Sequence, residues 1–579
     1  MEDNKTFSRF DRHFFDGKEA FTVIGDGQIG GKAQGLALIS KAVGDAFPGG
    51  KFGPITVNIP TLTVITTQYF DRFMEGNKLY ELALSGASDE RIAHHFQQAQ
   101  LPAEMIGDLM ALVGKVRTPL AIRSSALLED SMNTPFAGMY ATKMIPNNQS
   151  DAGTRFQKLV EAIKFVYSST FFSGVKNYFK AAGLDLRKEK MAVIIQEVVG
   201  HSHNKRYYPN ISGVARSYNF YPMGFSEPED GAVDLALGLG KTIVDGGRVW
   251  SYSPSYPAAF PPASSPTDLL KSTQTKFWAV NMGSIPAYDP IKEEEYLVRL
   301  DLQDAEYDNT LLKLVSTYDA ASDRINLGMG SPGPRLLSFA PLLDLELLPL
   351  NDLITTLMGT CERISGGKVE IEFAMTIDNT GETPPRFGIL QVRPIALSHE
   401  EVELDNTDLD PEQAFVYSEN VLGNGMSGNI KDIVFVKPDG FDMKHSRKVA
   451  MEVGEFNKKM LAEELPYLLM GFGRWGSSDH WLGIPVNWGQ ISGARAIVEV
   501  MLPGMSIDLS QGSHFFHNLA NLGIFYFSLK SSHDKEILDW DWLERQPVIE
   551  EGEFVKRVRI VTPLEIKVNG RKKTGVVKK

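Results

Sequence analysis

Lys368-Val-Glu370-Ile-Glu372-Phe373 leads into a turn signal, Asp378-Asn379-Thr380-Gly381, and the chain returns as Phe387-Gly-Ile-Leu390-Gln391-Val-Arg393-Pro394. Side chains alternate along a strand, so Glu370 and Glu372 share one face, Gln391 and Arg393 share one face of the partner strand, and Ile371, Leu390 and Val392 take the others. Two acids, an amide and a guanidinium thereby crowd one patch. Carboxylate and amide oxygens suit Mg²⁺, which takes few protein ligands and completes its shell with phosphate oxygens, while a guanidinium suits phosphate itself. The hairpin reads as half of a nucleotide site. The competing reading is a surface hairpin laced by cross-strand ion pairs.

Upstream, Gly25-Asp-Gly27-Gln-Ile-Gly30-Gly31-Lys32-Ala33 lies between a strand-like run from Phe21 and a helix-like one. Its G-x-G-x-x-G spacing suits a dinucleotide turn, but no second strand ending in an acid comes next; the chain enters Ala46-Phe-Pro48-Gly-Gly50 instead. Nor is it a P-loop, because Asp26 stands where the first glycine belongs and Ala33 follows Lys32. What is left is a flexible loop delivering Lys32, whose neighbouring amides can approach a phosphate closely, or else a helix start with a solvated lysine. Residues 71 to 115 show helical periodicity. Then Pro119-Leu-Ala-Ile122-Arg123-Ser124-Ser125 gives a short apolar strand ending in Arg123, with serines able to cap the next segment.

With these pieces in order, the chain resembles the nucleotide-binding domain of the phosphoenolpyruvate synthase and pyruvate phosphate dikinase family, an ATP-grasp-like fold. The matching motifs are Gly30-Gly31-Lys32, the Arg123 to Asp130 run, Phe136-Ala137-Gly138 with Thr142, Met191 to Glu197, Ser212-Gly213-Val-Ala215, Gly238-Leu-Gly240, and the two hairpin strands, over roughly residues 20 to 397. The resemblance implies that Lys32 and Arg123 bind ATP phosphates and that Gly138 and Thr142 shape the phosphate loop. It puts Gln196 at the adenine side, Glu372 and Gln391 on Mg²⁺, and Arg393 against the transferred phosphoryl group. Three departures stand out: Lys241 where the family has Glu after Gly-Leu-Gly, Arg216-Ser-Tyr-Asn219-Phe where it has Phe-Thr-x-Asn-Pro, and a longer hairpin turn.

Beyond the hairpin, His399 to Pro411 is an acidic linker-like run, and Arg447 to Leu465 reads as an amphipathic helix stopped at Pro466. Gly471-Phe-Gly473-Arg474-Trp475-Gly476, running on to Pro485, either presents Arg474 and aromatic faces to a ligand or packs as a loop on a core. Gln511-Gly512-Ser513-His514 with Leu522-Gly523-Ile524 resembles the spacing around the family's phosphorylated histidine, although Gly512 replaces its Thr. A neutral imidazole is a competent nucleophile near neutral pH, so His514 is a candidate phosphoryl relay, against a structural histidine. The last strands, around Val555 to Val561 and Glu565 to Asn569, read as a basic edge hairpin with a tail.

The chain has 579 residues, 43% hydrophobic and 23% charged, enough for several packed units. A net charge of −13 argues against sequence-independent nucleic-acid binding. Cys361 is the single cysteine, so no internal disulfide forms. No leader peptide or bilayer-length apolar run is evident, and a cytoplasmic protein is expected.

The expected fold class is therefore α+β: an ATP-grasp-like nucleotide-binding region over residues 1–397, read as two subdomains, an acidic linker over 398–415, and a smaller α/β C-terminal domain over 416–579 that carries the degenerate phosphohistidine (swivelling) signature. The expected activity is ATP-dependent phosphotransfer with ATP and Mg²⁺, to a histidine or an unknown acceptor that a partner subunit could carry; the family's pyruvate barrel has no room after the hairpin. The alternative is a regulatory or scaffold subunit that closes on ATP without turnover.

Overall fold

The computed structural model describes residues 7–129, 138–220, 222, 226–259, 265–395, 402–404, 408, 410, 412–439, 441–477, 481–501, 519, 523–529 and 536–579. It is a mixed α/β molecule. Two six-stranded sheets, with smaller four- and three-stranded ones, build the chain up to Pro394, and a ten-stranded sheet builds most of the C-terminal part.

The first sheet runs in the order Ser8–Arg9, Phe21–Ile24, Leu62–Ile65, Met191–Glu197, Leu120–Ala126, Thr142–Ile145. Its inner strands are largely apolar on both faces because both faces are covered, whereas the Ser8–Arg9 strand at the edge is exposed. Val23, Val64 and Ile194 pack with Ala33, Leu36 and Ile39 of the Gly30–Ala46 helix, whereas Ile24, Ile65 and Ile195 pack among the helices between Thr67 and Ser169. Burial at both faces removes the polar alternation that a half-exposed strand shows.

The second sheet runs Trp250–Tyr252, Ala232–Ala236, Ile211–Arg216, Val369–Thr376, Arg386–Pro394, Thr56–Asn58. The expected hairpin is at its heart. Glu370 is opposite Arg393, Ile371 opposite Val392 and Glu372 opposite Gln391, with a bulge between Glu372 and Phe373. Ile371, Phe373 and Met375 face the Leu350–Ser365 helix in the largest core cluster, which leaves Glu370 and Glu372 on the other face.

In the C-terminal sheet, Asn424–Val436, Tyr467–Phe472, Ala494–Val500 and Phe525–Leu529 are parallel neighbours, and the Ser446–Ala462 helix makes the first crossover. Such crossovers need an intervening segment because parallel strands cannot be joined by a tight turn. The strand expected at a basic edge, Val555–Asn569, is instead interior: it pairs with Asn424–Val436 on one side and with Thr574–Lys578 and Val548–Glu551 on the other. Its cations have buried acidic partners, Arg557 lying 2.8 Å from Asp432 and Lys567 2.9 Å from Asp408, so the positive run is neutralised rather than solvated. Asp408 comes from the acidic stretch, and the Ala414–Ser418 strand begins within the segment expected as linker.

Among the described residues, no helix is long and apolar enough to cross a membrane.

Candidate functional site

The Gly30–Ala46 helix starts hard against the Arg123 strand. A Cβ on Gly30 would stand 1.6 Å from the Ser125 carbonyl oxygen, and one on Gly31 would stand 1.6 Å from that of Glu129; Gly30 also has φ +75°. Only glycine fits this approach. Ser125 Oγ donates to the Ile29 carbonyl at 2.8 Å and accepts from the Ala33 amide at 3.1 Å, which locks the helix start to the strand. Lys32 is delivered into the cleft by this contact, but it is not solvated: its Nζ lies 2.7 Å from Glu129 Oε1 and 3.0 Å from Ser124 Oγ, and the residue is only 6% exposed.

Arg123 joins the two sheets. Its Nη1 donates to the Leu390 carbonyl at 2.8 Å and to Gln196 Oε1 at 3.2 Å; its Nη2 donates to Gln391 Oε1 at 2.6 Å and to Glu372 Oε2 at 3.1 Å. Thr142 is its partner on the next strand, and Gln196 lies across from Ala121, on the strand to its other side. A planar guanidinium with a fixed fork of donors is suited to this many acceptors at once.

A cleft of ≈ 260 Å³ lies between the sheets. Lys32, Arg123, Gly138 and Thr142 line it from the first side, Gln196 from the strand beside them, and Glu372 and Gln391 from the hairpin. Arg393 does not line this cleft. It is 1% exposed and ion-paired with Glu370, whose other oxygen lies 2.8 Å from Arg216 Nε; Arg216 in turn lies 2.8 Å from Asp234. Glu370 is thus enclosed between two guanidinium groups, although it shares a strand face with Glu372. His514 lies outside the described residues.

Glu372 and Gln391 present two hard oxygen donors at the cleft wall, and among the described residues no group of three or more His, Cys, Asp or Glu forms a metal cluster. One carboxylate and one amide fit Mg²⁺, which leaves most of its octahedral positions to water and nucleotide phosphates.

Lys241 also lines the cleft, and its charge is balanced there. Its Nζ lies 3.2 Å from Asp245 and 3.1 Å from Glu294. Burial opposes its charge, but Asp245, Glu293 and Glu294 outweigh burial and hold its pKa above that of a free lysine. For Glu293 burial dominates and raises the pKa to about 7, against the pull of Lys241 and of a hydrogen bond from the Thr142 amide. The sequence singles out Lys241 but not these partners. For Glu293 and Glu294 the signal is the Lys292-Glu293-Glu294-Glu295 run, which carries no motif of its own, and Asp245 lies four residues after Lys241. Glu129, the partner of Lys32, lies inside the Arg123 to Asp130 motif, where its type alone does not assign it a role.

The cleft between the two sheets, with a glycine-delivered lysine on one and an acid, an amide and an arginine contact on the other, holds residue types suited to phosphate and a divalent cation. The family model described as pyruvate phosphate dikinase, AMP/ATP-binding domain, matches residues 26–414, more than half of the chain, and the chain belongs to this family. Two curated relatives are similar over a shorter stretch. The rifampicin phosphotransferase of Streptomyces sviceus is 24% identical over 238 residues, covering 38% of this chain and 23% of the relative. The phosphoenolpyruvate synthase of Aeropyrum pernix is 25% identical over 242 residues, covering 38% of this chain and 26% of the relative. The matched stretches thus span about a quarter of each relative's length.

Proposed function

We propose that this chain is an ATP-dependent phosphotransferase that binds Mg-ATP in the cleft between the two sheets. The observation that carries this reading is Arg123, which gathers the Glu372, Gln391 and Gln196 side chains around one guanidinium at the cleft wall. Phosphoryl transfer asks a protein mainly for positioning and charge neutralisation. Lys32 and Arg123 would exchange their present acidic partners for phosphate oxygens, whereas Arg393, sealed behind the lining against Glu370, would hold the hairpin strand that carries Gln391 rather than meet the transferred group. Gly138 and Thr142 would shape the phosphate end and Gln196 the adenine side. Glu372 and Gln391 would hold Mg²⁺, which when bound neutralises charge on the phosphates. The acceptor would be a histidine, His514 or one on a partner subunit, or another group.

The same reading takes residues 1–397 as an ATP-grasp-like region, 398–415 as a connector and 416–579 as a phosphohistidine-like domain, in a cytoplasmic protein. A second reading, a regulatory subunit that closes on ATP without turnover, is favoured by Lys241, which adds a cation at the cleft already committed to Asp245 and Glu294.

Incubation with ATP labelled separately at the β and γ positions separates the two. Acid-labile β-label on the protein, abolished by His514→Ala, supports the relay. Nucleotide binding with neither label nor hydrolysis supports the regulatory subunit, and no Mg-ATP binding at all defeats both.

A further inference from the structure

Arg474, in the glycine- and tryptophan-rich stretch, is 7% exposed and reaches out of the C-terminal part into the nucleotide region, where its Nη1 donates to the Gly246 carbonyl at 3.1 Å. Its backbone is fixed from its own side. The Arg474 amide donates to the Leu482 carbonyl at 3.0 Å, and Arg474–Trp475 pairs in parallel with Gly483–Ile484. A Cβ on Gly483 would stand 1.9 Å from the Arg474 carbonyl oxygen, so only glycine admits this pairing. The next amide, that of Trp475, donates to the fully buried Glu499 at 2.7 Å. A guanidinium carried on so rigid a support is held in place at little further entropic cost.

Gly246 closes the turn that bears Lys241. It follows the Lys241–Val244 helix and Asp245 at φ +69°, and the Gly247 amide turns back to the Thr242 carbonyl at 2.8 Å. Asp245, one residue before the carbonyl that Arg474 holds, is set against Lys241, and both line the nucleotide cleft. The same seam continues on either side. The Gly489 carbonyl accepts from Asn177 of the Ser173–Ala181 helix at 3.2 Å and from Asn457 of the Ser446–Ala462 helix at 2.9 Å, so one oxygen ties the two parts of the chain. A Cβ on Gly489 would stand 2.5 Å from Gly174 Cα, which puts the two backbones in contact. Met139, next to the cleft-lining Gly138, packs against the C-terminal core.

We propose that Arg474 is a positioning residue of the nucleotide cleft, acting from the C-terminal part through the Gly246 turn and Asp245 on Lys241, so that docking of the C-terminal part and nucleotide binding are coupled. The role rests on the Mg-ATP reading of the cleft. Coupling of this kind is reciprocal: the docked arrangement favours nucleotide, and bound nucleotide favours docking.

A double-mutant cycle on the full chain, read by isothermal titration with Mg-ATP, tests it. Arg474→Ala should weaken Mg-ATP by about threefold or more in the natural background. In Lys241→Met the same substitution should change affinity little, because a residue acting through Lys241 then has nothing left to act on. Gly489→Ala drives a methyl group into the Gly174 backbone and parts the seam while keeping Arg474; it should show the same dependence on Lys241, and it serves if Arg474→Ala does not fold. Gly174→Ala, whose methyl group comes no nearer than 3.9 Å to Gly489, should leave affinity unchanged. Hydrogen exchange at residues 474–477 and 487–490 should slow when Mg-ATP is added to the natural chain. Equal losses in both backgrounds, no loss in either variant, or exchange that ignores Mg-ATP overturns the proposal and leaves the nucleotide reading standing. A natural chain that binds no Mg-ATP removes that reading and this role together.

Discussion

The Arg123 guanidinium lies 3.1 Å from the Glu372 carboxylate, a residue 249 positions further along the chain. Arg123 is on the first sheet and Glu372 on the second, so this contact ties the two sheets across the cleft. Both side chains are largely but not fully buried, which keeps the pair within reach of a ligand. Arg123→Ala should lower Mg-ATP affinity by more than tenfold, read by calorimetry. Arg123→Lys should recover only part of it, because an ammonium lacks the fork that serves four acceptors. Unchanged affinity in Arg123→Ala would remove the cleft as the nucleotide site.

Glu370 illustrates the opposite role on the same strand. It is 3% exposed and holds both Arg216 and Arg393, so its loss leaves two buried guanidinium groups short of a counter-charge. Breaking a buried pair from one side costs about 3–5 kcal/mol. Glu370→Ala should therefore lower the urea midpoint sharply, whereas Glu372→Ala, at the cleft surface, should affect Mg²⁺-dependent nucleotide binding more than stability. If the two variants show the reverse pattern, the division between a structural and a ligand-facing acid is wrong.

Gly30→Ala puts a methyl group 1.6 Å from a backbone carbonyl at φ +75°. No side-chain rotation relieves a clash with backbone, so the helix start must move, and Lys32 moves with it. A loss of about 2 kcal/mol or more is expected from such a backbone conflict, with weaker nucleotide binding. Gly44→Ala on the same helix has nothing within 4 Å of the new methyl group and should be neutral or slightly stabilising. Equal thermal midpoints for the two variants would contradict the close approach.

The pH dependence of stability has a definite sign for two acids. Burial raises Glu293 and Glu189 from 4.5 to about 7. The folded state therefore holds these protons more tightly than the unfolded chain does. Their stabilising contribution is complete below pH 4.5, falls as pH rises, and is lost above about 7. Urea midpoints measured from pH 5 to pH 8 should fall more steeply for the natural protein than for Glu189→Gln. An identical slope in the variant would show that Glu189 does not titrate in this window.

Lys241→Glu tests the cation set among acids. The substitution exchanges an ammonium for a carboxylate beside Asp245 and Glu294, so like charges are left facing one another in a partly buried site. The variant should be less stable at pH 8 than at pH 6, where protonation relieves the repulsion, and it should not gain turnover. A stable variant with new ATP turnover would instead make Lys241 the lesion that holds the natural protein inactive.

The strand faces of the hairpin are legible in the sequence, because strand alternation has period two and the turn residues bracket the two runs; the pairing of Glu370 with Arg393 and of Glu372 with Gln391, next to a bulge at Phe373, comes from the structure. The strand and helix around Lys32, and the Ser446–Ala462 helix, come from the same periodicities. What periodicity cannot carry is which of two acids on one strand face meets solvent. Arg216 decides that by enclosing Glu370, and it arrives from a strand 154 positions away in sequence. The acids that balance Lys241 and the burial of the last basic strand are of the same kind: each depends on a partner brought in by packing. The amino-acid order by itself determined the hairpin strands, which of their residues share a face, and the helix that follows the glycine run, since these are set by neighbours along the backbone. Only the tertiary structure decided which charges line the cleft and which are sealed behind it, because burial and pairing are properties of distant segments meeting in space.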